Sequence, residues 1–402
     1  MVKTDNKTKY SAMVCYTRLQ MMHCINYSHN SHDEIIDLYV NAATISDAFV
    51  IKERLDKKRV FRSIYIYNID NWKFSKAKVI LTAVRDSLLK NTSYKNTADN
   101  VLDRNDFSSR YFVLQNNAKI IKMTSGSVKE KIDYDIIYST WPDDMVLQLL
   151  VCNKGAEHVL YDDGLGSHSY DMFEFGRNPD TLARFNRYGL DIEKFRPKRL
   201  LLSWNEKTEN NYMVEVLPML KEQEDLKELL KFVFDYKETD LYRNNRYFFL
   251  SQPYAKDDRF NFGREQFVQK EYKCFEMMNR LLGSFVMRLH PAEQKSERQR
   301  IPGAELDQIN NMWELQCLND IKEDSVLIGM LSTAQYTPKY LLGKEPYVLF
   351  LYKVCFTGTD FYKESDLEKC YALKNSYIDK EKIMIPDDLD ELEECLKKLV
   401  AV

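Results

Sequence analysis

Three short strings of this sequence put ionisable or hydroxyl side chains where an apolar run ends. The first is Tyr161-Asp162-Asp163-Gly164-Leu165-Gly166-Ser167-His168. Two adjacent carboxylates there follow a run ending at Leu160, and the glycines let the backbone turn sharply. Neighbouring acids raise one another's pKa, which suits a general base working near neutral pH. The same composition also suits an ordinary tight turn. The second string is Arg288-Leu289-His290-Pro291. A histidine at a strand exit can donate to a phosphate or protonate a leaving group, Pro291 stops the strand, and Arg288 offers a further phosphate contact. A surface histidine is the plainer alternative. The third is Gly329-Met330-Leu331-Ser332-Thr333-Ala334-Gln335. Hydroxyls and free backbone N–H groups at a helix start make an anion site, and a plain N-cap fits equally well. Pro338 suggests that the helix itself starts near Thr337, leaving Ser332 and Thr333 in an extended turn.

Weaker candidates surround these strings. Leu250-Ser251-Gln252-Pro253-Tyr254 is another strand exit, followed by Asp257 and Asp258, which could bring a second acid. Glu314 could accept hydrogen bonds from ribose hydroxyls or sit on an ordinary helix face. Two Asp-x-Asp strings occur, Asp133-Tyr134-Asp135 before a strand and Asp388-Leu389-Asp390 in a first helical turn, and neither position suits a catalytic metal.

The elements that would position these residues follow a βαβ rhythm. Strands are expected at 12–16, 35–40, 63–69, 134–139 and 157–161, with helices at 45–58, 76–90 and 142–153, the last opened by Pro142 in its first turn. Residues 173–245 read as an interdomain connection with packing helices, including the amphipathic stretch 218–234. Alternation resumes with strands at 247–250, 285–289, 325–328 and 347–351, and helices at 262–282, 312–320, 337–342 and 386–399. These periods divide the chain into an N-terminal Rossmann-like domain, 1–172, the connection, and a C-terminal Rossmann-like domain, 246–402. Two such sheets would put ligands at the carboxyl ends of their strands, in a central cleft.

Composition agrees and excludes several classes. At 402 residues the chain is too long for one ordinary core. Its 58 Lys+Arg and 61 Asp+Glu leave a net charge of -3, with no general pull toward nucleic acid. The eight cysteines are scattered without a C-x-x-C pair, which implies reduced thiols and a cytoplasmic location, with no zinc site. The polar start is no secretory signal, and no apolar run is long enough to span a membrane, so any contact with the inner membrane is expected to be peripheral.

In their order, Asp162-Asp163-Gly164, His290-Pro291 and Ser332-Thr333 resemble the shared marks of bacterial sialyltransferases. Cys15-Tyr16-Thr17-Arg18-Leu19-Gln20 is similar to the Cys-x-Thr-Pro-Leu-Gln segment of the lipooligosaccharide sialyltransferase and polysialyltransferase group, with Arg18 in place of proline. The resemblance spans about 12–352. It implies a GT-B glycosyltransferase: an α/β protein of two doubly wound Rossmann-like domains. It would move sialic acid from CMP-sialic acid to a glycan hydroxyl, with inversion and without a metal or other cofactor, in capsule or lipooligosaccharide synthesis.

Carried over, the acidic pair is the base, with Asp258 as an alternative in the second domain. His290 would serve the CMP phosphate or act as acid toward it, and Ser332 and Thr333 would hold it. From the residues themselves, Arg288, Gln252, Gly329 and Glu314 are expected on the nucleotide side. A transferase using another nucleotide sugar, a non-catalytic polysaccharide-assembly protein and a sugar-nucleotide epimerase are the rival readings, and a homodimer stays open.

Overall fold

The computed structural model describes residues 8–67, 133–153, 155–164, 167, 182, 185, 192–203, 213–217, 220, 223–256, 262–290, 293, 301–309 and 311–401. The expected helix at 76–90, Pro291 and Asp258 lie outside the described residues. The chain forms two compact units, Met1–Pro218 and Met219–Val402.

In the first unit, β1 (Lys9–Cys15), α1 (Arg18–Asn30), β2 (Glu34–Asn41), α2 (Ala48–Lys58) and β3 (Ser63–Tyr67) come before β4 (Ile136–Ser139), α3 (Asp144–Cys152), β5 (Glu157–Tyr161), β6 (Arg199–Leu202) and β7 (Met213–Val216). The strands pair in parallel in the order β3-β2-β1-β4-β5-β6-β7. Central strands covered on both faces need apolar residues at successive positions. Ala12-Met13-Val14, Ile136-Ile137-Tyr138 and Val159-Leu160-Tyr161 are all buried. Polar side chains start the helices. Thr17 Oγ1 accepts the Gln20 N–H at 3.2 Å, while Gln20 Oε1 accepts the Thr17 N–H at 3.3 Å, a capping box that opens α1. Asp143 caps α3 through the Val146 N–H at 2.9 Å. Pro142 therefore stands just before the cap and not in the first turn, where it is expected from sequence.

The second unit begins with α4 (Glu224–Val233) and α5 (Asp240–Asn244), then β8 (Tyr247–Leu250), α6 (Arg264–Leu282), β9 (Phe285–Arg288), β10 (Ala304–Leu306) and α7 (Trp313–Asn319). It continues with β11 (Val326–Gly329), α8 (Thr333–Leu342), β12 (Tyr347–Phe350), α9 (Tyr352–Phe356), α10 (Glu364–Ser376), β13 (Ile383–Met384) and α11 (Leu389–Ala401). Its parallel order is β10-β9-β8-β11-β12-β13. Each sheet therefore winds outward from its first strand and returns to that strand's other side. This is the doubly wound arrangement, with switch points between β1 and β4 and between β8 and β11.

Two expectations are corrected here. The stretch 173–245 is not a separate connection: β6 and β7 extend the first sheet, whereas α4 and α5 belong to the second unit. Short strands with charged residues, such as Arg199 and Glu215 paired at 2.8 Å, break the apolar pattern by which β6 and β7 would be read. Second, α8 starts at Thr333 and not at Thr337. Ser332 caps it with Gln335 in a capping box, and Pro338 lies inside the helix. Proline has no N–H for the carbonyl four residues back. The Trp313 indole N–H takes that Ala334 carbonyl at 2.8 Å, so no acceptor is stranded.

His158 on β5 is buried with Nδ1 3.1 Å from the Phe195 carbonyl and Nε2 2.8 Å from Ser139 Oγ. The carbonyl demands a proton on Nδ1, so Nε2 accepts from Ser139. Burial lowers its pKa from 6.5 to about 4. Below pH 6.5 the unfolded chain takes up a proton that the folded protein takes only near pH 4, so this histidine's contribution falls as pH falls through that window. About 3 kcal/mol is lost by pH 4. Urea unfolding at pH 7 and pH 4.5 measures it. His158→Gln is expected to remove that part of the pH slope, and an unchanged slope would contradict the assignment.

Candidate active site residues at the strand exits

In the first unit the two adjacent acids have different environments. Asp162 is fully buried, and both oxygens accept backbone amides: Oδ1 from Gly164 at 2.7 Å and Oδ2 from Ser203 at 3.0 Å. It closes the turn after β5, where Gly164 adopts φ 93°, and ties that turn to the end of β6. Asp163 reaches the surface. Its amide donates to Ser167 Oγ at 2.7 Å, and its Oδ1 accepts from Gln20 Nε2 at 2.5 Å. Protein atoms still crowd this carboxyl, and that desolvation raises its pKa to about 6. The Gln20 bond works the other way, and the Asp162 charge adds to the rise. Asp163 is thus ionised at neutral pH and close enough to neutrality to take a proton.

The second unit brings the Gln252 and Ser332 side chains together at its switch point. Gln252, just past β8, donates from Nε2 to Ser332 Oγ at 2.8 Å, and that same oxygen accepts the Ala334 N–H at 3.3 Å. Thr333 is the first residue of α8. Gly329 is required by packing: a Cβ there would stand 3.1 Å from Gln335 Oε1 and 3.2 Å from the Leu250 carbonyl oxygen. Gln335 Oε1 holds the Ser332 amide at 3.1 Å, so Gly329 seats the cap that positions Ser332.

His290 follows β9 and is half-buried. Burial lowers its pKa below 6.5, and the charge of Glu293 partly opposes this. Its imidazole is therefore neutral at pH 7, a hydrogen-bond donor without a full charge. Glu293 accepts the His290 backbone N–H at 3.0 Å through Oε2 and the Ser251 hydroxyl at 2.9 Å through Oε1. It joins the ends of β8 and β9.

Arg288 is not available as a phosphate ligand. Nη1 donates to Asp307 at 2.8 Å, Nη2 donates to the Asn311 carbonyl, and the guanidinium lies 5.4 Å from the Trp313 ring centre. The register explains this, because Leu306 pairs with Met287 and so brings the next residue, Asp307, beside Arg288. Glu314, in the first turn of α7, is buried. Burial raises its pKa, and Arg288 partly offsets the rise. Asp135 accepts the Tyr10 amide at 2.9 Å, and Asp388 accepts the Asp390 and Glu391 amides at 3.0 Å, so both Asp-x-Asp strings supply backbone partners.

Gln20, Ser203, Ser251 and Glu293 are the contacts that sequence reading missed. Thr17-x-x-Gln20 was legible as a capping box. Glu293 had no such signal. A cavity of about 630 Å³ lies elsewhere in the first unit, beside the starts of β1 and β2, lined in part by Lys9, Tyr27, Asp33 and Glu34. None of the candidate residues lines it.

Among the described residues, no helix is long and apolar enough to cross a membrane. No protein-family model matches the chain, and no curated protein matches it. Among solved structures, the glycosyltransferase VinC in complex with dTDP is 11% identical, covering 98% of this chain and 91% of its own at a TM-score of 0.48. The glycotransferase of kitacinnamycin is 10% identical, with 98% and 91% covered and a TM-score of 0.45. SnogD, a glycosyltransferase from Streptomyces nogalater, is 9% identical, with 98% and 99% covered and a TM-score of 0.41. At such distances function does not transfer with the likeness. What the strand orders establish is two doubly wound parallel α/β units in one chain.

Proposed function

We propose that the protein is a GT-B glycosyltransferase that moves sialic acid from CMP-sialic acid to a glycan hydroxyl, with inversion and without a metal. The observation that carries the nucleotide half is the Gln252–Ser332 pair at the switch point between β8 and β11, at the start of α8. A helix start at a switch point favours an anion because its dipole is positive there. The Ser332, Ala334 and Gln335 amides are taken within the capping box, so the dipole and the Ser332 and Thr333 hydroxyls carry this part. The donor and its surface-glycan acceptor follow from the sialyltransferase-like order of the acidic pair, His290-Pro291 and Ser332-Thr333.

The chemistry fits the residues. As the acceptor oxygen bonds to the anomeric carbon, the bond to the CMP phosphate oxygen breaks, and charge builds on that phosphate. Ser332, Thr333, the start of α8 and the His290 N–H would bind it more tightly as its charge grows, which lowers the barrier rather than merely tightening substrate binding. Asp163 would take the acceptor hydroxyl's proton. Asp162 is committed to amides and serves as scaffold.

Purified protein incubated separately with CMP-sialic acid, UDP-sugars and GDP-sugars tests this reading. Release of CMP with transfer to a glycan is expected. Turnover of a UDP-sugar alone would overturn the donor, and no turnover of any donor would favour a binding module.

A further inference from the structure

Gln20 is a buried amide whose orientation is set by chemistry. Oε1 accepts the backbone N–H groups of Tyr16 at 2.6 Å and Thr17 at 3.3 Å. Two N–H donors converging on one atom require oxygen there, which removes the usual ambiguity between the two ends of an amide. Nε2 must then face Asp163, and it lies 2.5 Å from Oδ1. With 2% of its surface exposed, Gln20 has little water to exchange for these partners. Asp163 Oδ2 has no hydrogen-bond partner among the described residues.

We propose that Gln20 is a positioning residue for Asp163: it anchors Oδ1 to the turn between β1 and α1 and leaves Oδ2 for the substrate hydroxyl. This rests on the reading of Asp163 as the base. The same amide thus closes the capping box of α1 and aims the carboxylate. Donation to Oδ1 favours the ionised form and so opposes the upward push of burial. The other titratable groups around this carboxyl are Asp162 in its own turn, which raises its pKa, and Tyr161 at the end of β5. From α1, Cys24 faces Tyr161, and His23 stands 3.4 Å from Ser203 Oγ at the end of β6.

Gln20→Glu separates the two roles. Glutamate at the third position of a capping box still accepts the Tyr16 and Thr17 amides, but it faces Asp163 with a negative charge in place of a donor. The pKa of Asp163, read by carbon NMR of its carboxyl in the protein without substrate, is expected to rise by about one unit or more, a roughly tenfold change in its ionisation. The acid limb of the transfer rate should move by the same amount, while α1 keeps its helix. Because a carboxyl pKa raised in the folded state lowers stability at neutral pH, the melting temperature should fall modestly. An unmoved Asp163 titration in folded Gln20→Glu would overturn the proposal and leave Gln20 a cap only. Should Gln20→Glu fail to fold, the side-chain amide nitrogen of Gln20 in the wild type, followed by NMR through the Asp163 titration, gives a second reading: a resonance that tracks the titration is expected, and an unmoved one would overturn the proposal. A shifted titration together with wild-type transfer by Asp163→Asn would keep the positioning role and remove Asp163 as base.

Discussion

Replacing Asp163 by Asn is expected to lower the transfer rate by about 10²–10⁴-fold, the range that a general base contributes. The loss should fall on kcat, with donor binding nearly unchanged, because the donor's phosphate is assigned to residues of the second unit. Folding should be spared. An Asn oxygen can still accept from Gln20 Nε2, and the carboxyl group it replaces reaches the surface. The pH dependence should report the same group: in the wild type, activity falls as pH drops through about 6, where Asp163 is protonated. Kinetics across pH 5 to 8 with the donor saturating would check both statements. A variant within about threefold of wild type would remove Asp163 from the chemistry, since that is far below what a base supplies.

Asp162→Ala is expected to fail in the opposite way. It strips the partners from two buried amides, Gly164 at 2.7 Å and Ser203 at 3.0 Å. Each unpaired group costs about 1–3 kcal/mol, so the first unit should lose about 2–6 kcal/mol, partly reduced if water enters the space. Chemical denaturation followed by a probe in the first unit measures the loss. Asp162→Asn keeps one acceptor and should fall between the two. If Asp162→Ala instead unfolds at the wild-type denaturant concentration and loses transfer, the two acids have been assigned the wrong way round.

This division could not be read from Asp162-Asp163-Gly164 alone. Adjacent acids after a strand point different ways, and which one turns inward depends on β6, whose Ser203 amide claims Asp162 from 41 residues away. The strands themselves were legible where burial on both faces made a run apolar, as in Tyr247–Leu250 and in residues 159–161 of β5, and both β8 and β5 are bounded as expected. β7 was missed because Glu215, paired with Arg199, interrupts its four residues, and β6 because only Leu200, Leu201 and Leu202 follow that arginine. Pro338 misled for a local reason. Its missing N–H usually marks a helix start, and only the Trp313 indole, distant in sequence, makes it tolerable inside α8. Arg288 misled similarly: its partner Asp307 becomes visible only once β9 and β10 are in register. Residue types at strand exits were therefore readable, while their partners depended on neighbouring strands.

Binding of CMP tests the central claim most directly. In a crystal of the protein soaked with CMP, the phosphate should lie against Ser332, Thr333 and the start of α8, within hydrogen-bond reach of the His290 imidazole, with Gln252 still holding Ser332. A CMP phosphate bound away from these residues, or a site that takes UDP and rejects CMP, would contradict the account.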